Sequence, residues 1–152
     1  MDSRPETYAH IHEVQKLLSR VIKELLDRQQ DHDQSKLVSP EVEYFDEYTG
    51  KLRNTTYGSE EYEKFRELMK PGLDHHYAKN SHHPEFHEHG MRGMTLIDLI
   101  EMLCDWKAAS MRHANGCVFK SIAHNAGRFH YPPYLEDILI NTARELFTSP
   151  SE

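Results

Sequence analysis

Apolar residues recur at intervals of three and four positions along most of the chain, and this spacing limits the possible folds more than any other feature. From Tyr8 to about Gln30 the spacing predicts one amphipathic helix, with Thr7 as a possible N-cap. We find no stretch that alternates apolar and polar residues over the length of a strand. The sequence therefore predicts an all-α protein, built as a helical bundle.

Capping residues and helix breakers predict the other helices. Ser39-Pro40 offers the cap and first turn of one helix, and Gly58-Ser59 opens another that Pro71-Gly72 bends or ends. Thr95 caps a strongly apolar helix that runs to about Asn115-Gly116. The set is completed by a short helix before Ser39 and by two weaker helices, from about Val118 to Asn125 and from Pro133 to Phe147.

Length and composition point to one globular domain. A chain of 152 residues that is 38% apolar can bury a single core, so we expect one domain over residues 1–152, with an ordered core at about 7–147 and a frayed tail at 148–152. No unbroken apolar run reaches about 18 residues, and residues 1–6 lack the apolar stretch of a secretory signal. We therefore expect a cytoplasmic protein with no membrane span.

Charge argues against a nucleic-acid-binding protein. The chain has 18 Lys and Arg against 25 Asp and Glu, a net charge of −7, which is the wrong sign for gripping a phosphate backbone. A small anionic substrate would need local cations instead.

The chain is rich in histidine, with twelve residues of this type. Divalent metals prefer imidazole nitrogen and carboxylate oxygen, and helical bundles supply both from several helices. In the first helix the phase of His10 matches the apolar face, whereas His12 falls nearly opposite. His32-Asp33 lies just past the end of that helix, where a chain reversal could return both side chains toward the bundle. Half of the histidines lie in one stretch: His75, His76, His82, His83, His87 and His89.

Three acids share one side of the helix that begins after Thr95. They are Asp98, Glu101 and Asp105, at spacings of three, four and seven residues. For Asp98 and Glu101, exposure on a solvated acidic face is as consistent with the sequence as a role in a site. Asp105 lies between Cys104 and Trp106 in an apolar stretch, so burial is favoured there, and a buried carboxylate needs a cation or several donors.

These residues in this order resemble the H…HD…D pattern of HD-domain metal-dependent phosphohydrolases. His10 supplies the first member, His32-Asp33 the second and Asp105 the last, while the run from His32 to Lys36 is similar to HD-x-G-K with Ser35 in place of glycine. Over about Ala9 to Leu146 the chain is also similar to a family of small uncharacterised HD-like proteins of phages and bacteria, so the protein could be phage-encoded.

The resemblance implies that His10, His32, Asp33 and Asp105 hold one divalent ion, with His12 as the fallback for His10. Asp33 would bridge to a second ion. The ligands of that ion would be His76, whose helical phase we prefer to that of His75, and either His82 or His83. One or two ions of Mn, Mg, Co, Ni, Zn or Fe would activate a water that attacks a nucleotide or similar small phosphate ester. His87 and His89 are interpreted as surface residues.

Four further residues are candidates for contact with the substrate. Lys36 could neutralise the phosphate or orient the water, and Asp33 with Lys36 forms the predicted catalytic pair. Arg112, Asn125 and Arg128 could bind the substrate, the two arginines as bidentate forks for phosphate. A solvated lysine and structural salt bridges are the alternative interpretations.

Two other functions fit the same ligands. Some HD-like proteins use them to hold two irons and activate oxygen, and a non-catalytic metal-binding protein would need no substrate site at all. The metal content of the purified protein separates these possibilities.

Overall fold

The computed structural model describes residues 2–55, 59–112 and 116–148, and every regular element in those ranges is a helix. This confirms the all-α prediction. The six longer helices are α1 (Arg4–Asp31), α2 (Glu41–Arg53), α3 (Glu60–Lys79), α4 (Leu96–Ser110), α5 (Val118–Phe129) and α6 (Pro133–Phe147). Short 3₁₀ turns lie at Gln34–Leu37, Pro84–Phe86 and Gly90–Gly93.

The chain divides into two compact units, Met1–His32 and Asp33–Glu152. The first contains α1, and the second contains the other five helices. A single domain over residues 1–152 stays a prediction. Among the described helices, none combines the length and apolar character needed to cross a membrane.

Helix α1 begins earlier than the apolar spacing predicts. Its N-cap is Ser3, and Pro5 occupies the first turn, where its fixed φ suits a helix start. Thr7 is therefore inside the helix, and its hydroxyl donates to the Ser3 carbonyl at 3.0 Å. The expectation that Thr7 caps this helix is wrong. His10 and His12 are both exposed.

Helix α3 is longer than predicted, because it does not end at Pro71-Gly72. Ser59 caps it, as expected, by accepting from the Tyr62 amide at 3.1 Å. A proline inside a helix costs about 3 kcal/mol, but Gly72 allows α2 and α3 to pack closely: a Cβ at Gly72 would lie 2.6 Å from the Tyr44 Cβ. As α3 continues to Lys79, His76 is part of a helix packed against α2.

Two further boundaries differ from the prediction. Ser39 does not cap α2; the N-cap position is Pro40, which makes no side-chain cap bond. Helix α4 ends at Ser110, short of Asn115-Gly116, and residues 113–115 are outside the described ranges. Helix α5, in contrast, continues past Asn125 to Phe129.

The apolar core of the second unit lies among α4, α5 and α6. Its members are fully or nearly fully buried, and Tyr131 joins them by donating its hydroxyl to the Ile122 carbonyl. Helix α4 is consequently held on its apolar side, and its acidic side is left to face the histidine-rich segment. The core consists of Met102, Leu103, Val118, Ile122, Tyr131, Leu139 and Ala143.

The start of α4 is anchored by a capping box that also holds the histidine-rich segment. The Thr95 hydroxyl oxygen accepts from the Asp98 amide at 3.1 Å, and Asp98 accepts from the Thr95 amide at 2.9 Å. The other Asp98 oxygen accepts from the Ser81 hydroxyl at 2.7 Å. Asp98, only 2% exposed, is therefore a structural carboxylate rather than a solvated one.

We expect Thr95→Ala to lower the free energy of unfolding by about 1 kcal/mol, because it removes the side-chain half of this capping box. Urea unfolding followed by circular dichroism measures the change. Thr142→Ala is the matched control, since that hydroxyl only donates to a carbonyl in its own helix. Equal urea midpoints for Thr95→Ala and wild type would contradict a stabilising role for the capping box.

Candidate metal centre

Asp33, His76, His82 and His83 bring their side chains together in the second unit. Each offers one ligand atom, and these four atoms lie within 4.8 Å of one another. Asp33 is placed there by a left-handed backbone conformation, φ 58°, which Asp tolerates better than most residues. His76 comes from the last turns of α3, and the other two histidines from the segment that follows. His76 and His82 are each only 1% exposed.

The distances within this cluster fit a metal ligand shell. His76 Nε2 lies 3.3 Å from Asp33 Oδ1 and 2.9 Å from His83 Nε2, and His82 Nε2 lies 3.5 Å from Asp33 Oδ1. Ligands bonded at about 2.1 Å are about 3.0 Å apart in an octahedron and about 3.4 Å apart in a tetrahedron. The donor types also fit, because imidazole with carboxylate suits Mn, Fe, Co, Ni and Zn. These four residues therefore form a candidate divalent-metal centre.

Glu41 is hydrogen-bonded to the His76 ring nitrogen on the side away from Asp33. This fully buried carboxylate accepts from His75 Nδ1 at 2.7 Å, from His76 Nδ1 at 2.9 Å and from the Ser35 hydroxyl at 2.9 Å. An ionised Glu41 can only accept, so the hydrogen between it and His76 is on Nδ1, and Asn80 can use its two amide hydrogens on the Ser35 hydroxyl and the His76 carbonyl. The neutral His76 ring then has its lone pair on Nε2, which faces Asp33.

The ionised form of Glu41 is supported by its surroundings. Burial alone raises the pKa of this carboxyl, but the hydrogen bonds from His75, Ser35 and His76 outweigh burial and hold the pKa below its usual value.

His82 has the same arrangement on the other side of the cluster. Its Nδ1 donates to Glu101 Oε1 at 3.0 Å, which leaves the Nε2 lone pair directed at Asp33. A carboxylate behind a ligating imidazole sets the tautomer, orients the ring and raises its basicity. Glu101 therefore positions His82. Its helical spacing alone did not distinguish this role from that of a solvated acid.

His83 contributes a neutral imidazole. Burial, helped by the neighbouring His82 and His76, lowers the pKa of His83 to about 2. His83 Nε2 lies 2.9 Å from His76 Nε2, a distance at which a neutral His83 can donate a proton to the His76 lone pair. In the other His83 tautomer both nitrogens present lone pairs, and the two rings could then bind one cation together.

Of the other predicted ligands, Asp105 belongs to the second unit and lies close to the cluster. One of its carboxylate oxygens is within 4.8 Å of an Asp33 oxygen. His10 and His32 belong to the N-terminal unit, and their role as ligands stays a prediction. His87, expected on the surface, is half-buried with Nε2 donating to the Ser81 carbonyl at 2.8 Å, whereas His89 is exposed.

The predicted cation Lys36 lies directly beside the cluster. Its ammonium donates to Asp33 Oδ2 at 2.6 Å and sits 5.1 Å from the centre of the Phe45 ring. Asp33 and Lys36 line one part of a groove of about 480 Å³, which also contains Arg66 and Arg112. Three cations around one recess are unusual in a chain of net charge −7.

Asn125 and Arg128 do not line this groove. Asn125 donates to the Ser121 carbonyl of its own helix at 3.0 Å, and Arg128 forms an ion pair with Glu85 at 2.6 Å. Their role in substrate binding stays a prediction.

Two site residues escaped the sequence analysis. They are Glu41, in the first turn of α2, and Arg66, on α3. Nothing in the local sequence separates them from neighbouring exposed charges such as Glu43 and Lys64. Glu41 is distinguished by its contacts with His75 and His76, and Arg66 by its place in the groove.

We expect Glu101→Gln to weaken metal binding by about 10- to 100-fold, because an amide is a poorer acceptor for His82 Nδ1 than a carboxylate. Titration of the metal-free protein with Mn²⁺ or Zn²⁺ measures the affinity. Glu145→Gln, an exposed change on α6, is the control. Wild-type affinity in Glu101→Gln would show that His82 does not depend on this carboxylate.

The two N-terminal histidines give a separate prediction. We expect His10→Ala to lower the metal content and His12→Ala to leave it unchanged, since only His10 has the helical phase of the apolar face. Elemental analysis of both variants decides the matter. An equal loss in both would show that the phase of α1 had been misinterpreted.

Fold and site together define an all-α protein whose histidine and carboxylate cluster is suited to a divalent cation. The chain belongs to the Family of unknown function (DUF5662), whose model matches residues 1–147. Comparison with curated proteins and with solved structures gave no match.

Proposed function

We propose that the protein is a metal-dependent phosphohydrolase that acts on a nucleotide or another small phosphate ester. The observation that carries this proposal is the position of Asp33, which belongs both to the imidazole cluster and to the groove containing Lys36, Arg66 and Arg112. Metal ligands and anion-binding side chains thus adjoin one another. Hydrolysis of a phosphate ester needs both.

The candidate ligands are Asp33, His76, His82 and His83, with Asp105 close by. The HD-like sequence pattern adds His10 and His32 to this set. When bound, a divalent ion lowers the pKa of a coordinated water and polarises a phosphoryl oxygen. Two ions would account for the number of candidate ligands better than one.

The protein's own side chains bind and orient the substrate. Lys36 has three ammonium hydrogens and uses one on Asp33, so it can donate another to a phosphate oxygen. Its position over the Phe45 ring limits the freedom of the side chain. Arg112, in the same groove, can bind phosphate through two parallel N–H groups. Local positive charge then attracts an anion that the net charge would repel.

Elemental analysis of the purified protein, combined with phosphate release from a panel of nucleotides and simple esters under several divalent metals, tests the proposal. We expect near-stoichiometric metal and a turnover that a chelator abolishes and added metal restores. Bound iron without phosphate release would replace the proposal with an HD-type di-iron oxygenase. Another bound metal without turnover would favour a non-catalytic metal-binding protein, and no bound metal would overturn the site itself.

A further inference from the structure

The groove beside the candidate metal centre runs along the packed pair α2 and α3. Glu41 contacts His76 at one end, a Cβ at Gly72 would touch Tyr44 in the middle, and the rings of Tyr48 and Phe65 lie 6.3 Å apart further along. Residue numbers thus rise on α2 as they fall on α3, so the two helices are antiparallel. The groove accordingly extends away from His76 toward the start of α3.

Helix α3 supplies one wall of the groove from positions that share a helical face. Tyr62, Arg66, Met69 and Leu73 all line it, at spacings of four, three and four residues. His76 continues the same spacing into the metal cluster. Phe45 and Leu52 line the groove from α2.

Arg66 is far from the cluster along this wall. Ten residues separate it from His76, which corresponds to about 15 Å of helix rise. Lys36, in contrast, is bonded directly to Asp33. Of the three cations that line the groove, Lys36 is therefore beside the metal centre and Arg66 is well away from it along α3, with Met69 and Leu73 between Arg66 and His76.

The present partner of Arg66 leaves its guanidinium available to a ligand. Arg66 pairs with Glu63 at 3.2 Å, and both side chains are more than half exposed (56% and 55%). An exposed ion pair between neighbouring turns of one helix contributes little to stability, so it is easily exchanged for another partner. A phosphate or carboxylate bound in the groove would compete well with Glu63, because a bidentate contact with guanidinium is stronger.

Resting on the proposed function, we propose that Arg66 binds a second anionic group of the substrate, on the order of 10 to 15 Å from the phosphate that is hydrolysed. The preferred substrate is then an elongated molecule with anions at both ends. Its middle part is flat or apolar enough to lie against Met69, Leu73 and Phe45. Simple monoesters bind only at the cluster end.

Matched synthetic esters test this inference. Octane-1,8-diol bisphosphate spans about 14 Å between phosphorus atoms when extended, and octyl phosphate has the same body without the second anion. We expect the wild-type protein to favour the bisphosphate at least about tenfold in kcat/KM. Propane-1,3-diol bisphosphate, about 7 Å long, should show no comparable advantage over propyl phosphate.

Arg66→Gln should bring the ratio for the two octyl compounds close to one, and Arg66→Lys should retain part of it. Lys64→Gln, an exposed change on the same helix outside the groove, should keep the wild-type ratio. A structural defect would lower both rates together and leave the ratio unchanged. An unchanged ratio in Arg66→Gln overturns the inference.

Calorimetric titration of the chelator-treated protein with the same two octyl compounds gives a second readout, independent of turnover. We expect the bisphosphate to bind more tightly than octyl phosphate, and Arg66→Gln to remove that difference. If no ester were hydrolysed, the proposed function would fail while this titration still decided the role of Arg66. Equal affinity of wild type and Arg66→Gln for the bisphosphate contradicts it.

Discussion

Asp33→Ala is expected to abolish metal binding and phosphate release while leaving the helical circular dichroism spectrum nearly unchanged. One Asp33 oxygen lies 3.3 Å from His76 Nε2 and 3.5 Å from His82 Nε2, and the other accepts from Lys36. Alanine removes the negative charge at the centre of three imidazoles. We expect a loss in metal affinity of more than about 100-fold, above the usual effect of residues that only support a ligand.

Elemental analysis and Mn²⁺ titration measure this loss, and Asp46→Ala, an exposed change on α2, is the matched control. Asp33→Asn separates the effect of losing the negative charge from the effect of losing the side-chain volume, since the amide keeps the volume and one acceptor oxygen. The sequence pattern also predicts that His32→Ala abolishes metal binding. Full metal occupancy in Asp33→Ala would show that the ligand assignment is wrong.

Glu41→Ala is expected to lower both stability and metal affinity. The carboxylate is fully buried and accepts three hydrogen bonds, so its removal leaves the donors of His75, His76 and Ser35 without their acceptor. Leaving a buried donor without its acceptor costs about 1 to 3 kcal/mol. Because the His76 ring also loses the group that sets its tautomer, metal binding should weaken by about 10- to 100-fold.

Urea unfolding and metal titration measure the two effects, with Glu43→Ala as control. Glu43 is an exposed acid in the same first turn of α2, so it reports any contribution of the helix dipole. If Glu41→Ala matched Glu43→Ala in both measurements, Glu41 would have no special role.

The pH dependence of the Glu41 contribution follows from its lowered pKa. A carboxyl whose pKa is lower in the folded state stabilises the fold fully above its ordinary value, here 4.5, and loses that contribution as the pH falls through the folded value. The difference in unfolding free energy between wild type and Glu41→Gln should therefore shrink below about pH 4.5. A difference that stayed constant from pH 7 to pH 3.5 would argue against an ionised Glu41.

His76 shows what could be predicted about the site. The periodicity of Phe65 and Met69 favours His76 over His75 as the inward residue, and His76 is indeed the buried one. That phase is carried across Pro71, because the helix continues through it. The ambiguity between His82 and His83 had no such solution, since both lie outside regular helices, and in the structure both join the cluster.

Glu41 and Arg66 show what could not be predicted. Each has neighbours of the same charge in its own helix, and hydropathy treats them alike. The contact of Glu41 with His76 joins residues 35 positions apart in the chain, so it depends on how α2 and α3 pack. Gly72, by permitting their close approach, decides that packing.

The sequence by itself determined the helices of the second unit and the types of metal ligand present, because helix formation depends on caps and on side chains three or four residues apart. Only the tertiary structure decided which imidazole nitrogen faces the cluster, which acids stand behind the histidines, and that a groove with cations leads away from Asp33. These features depend on contacts between helices, whose distances and buried charges no local pattern specifies.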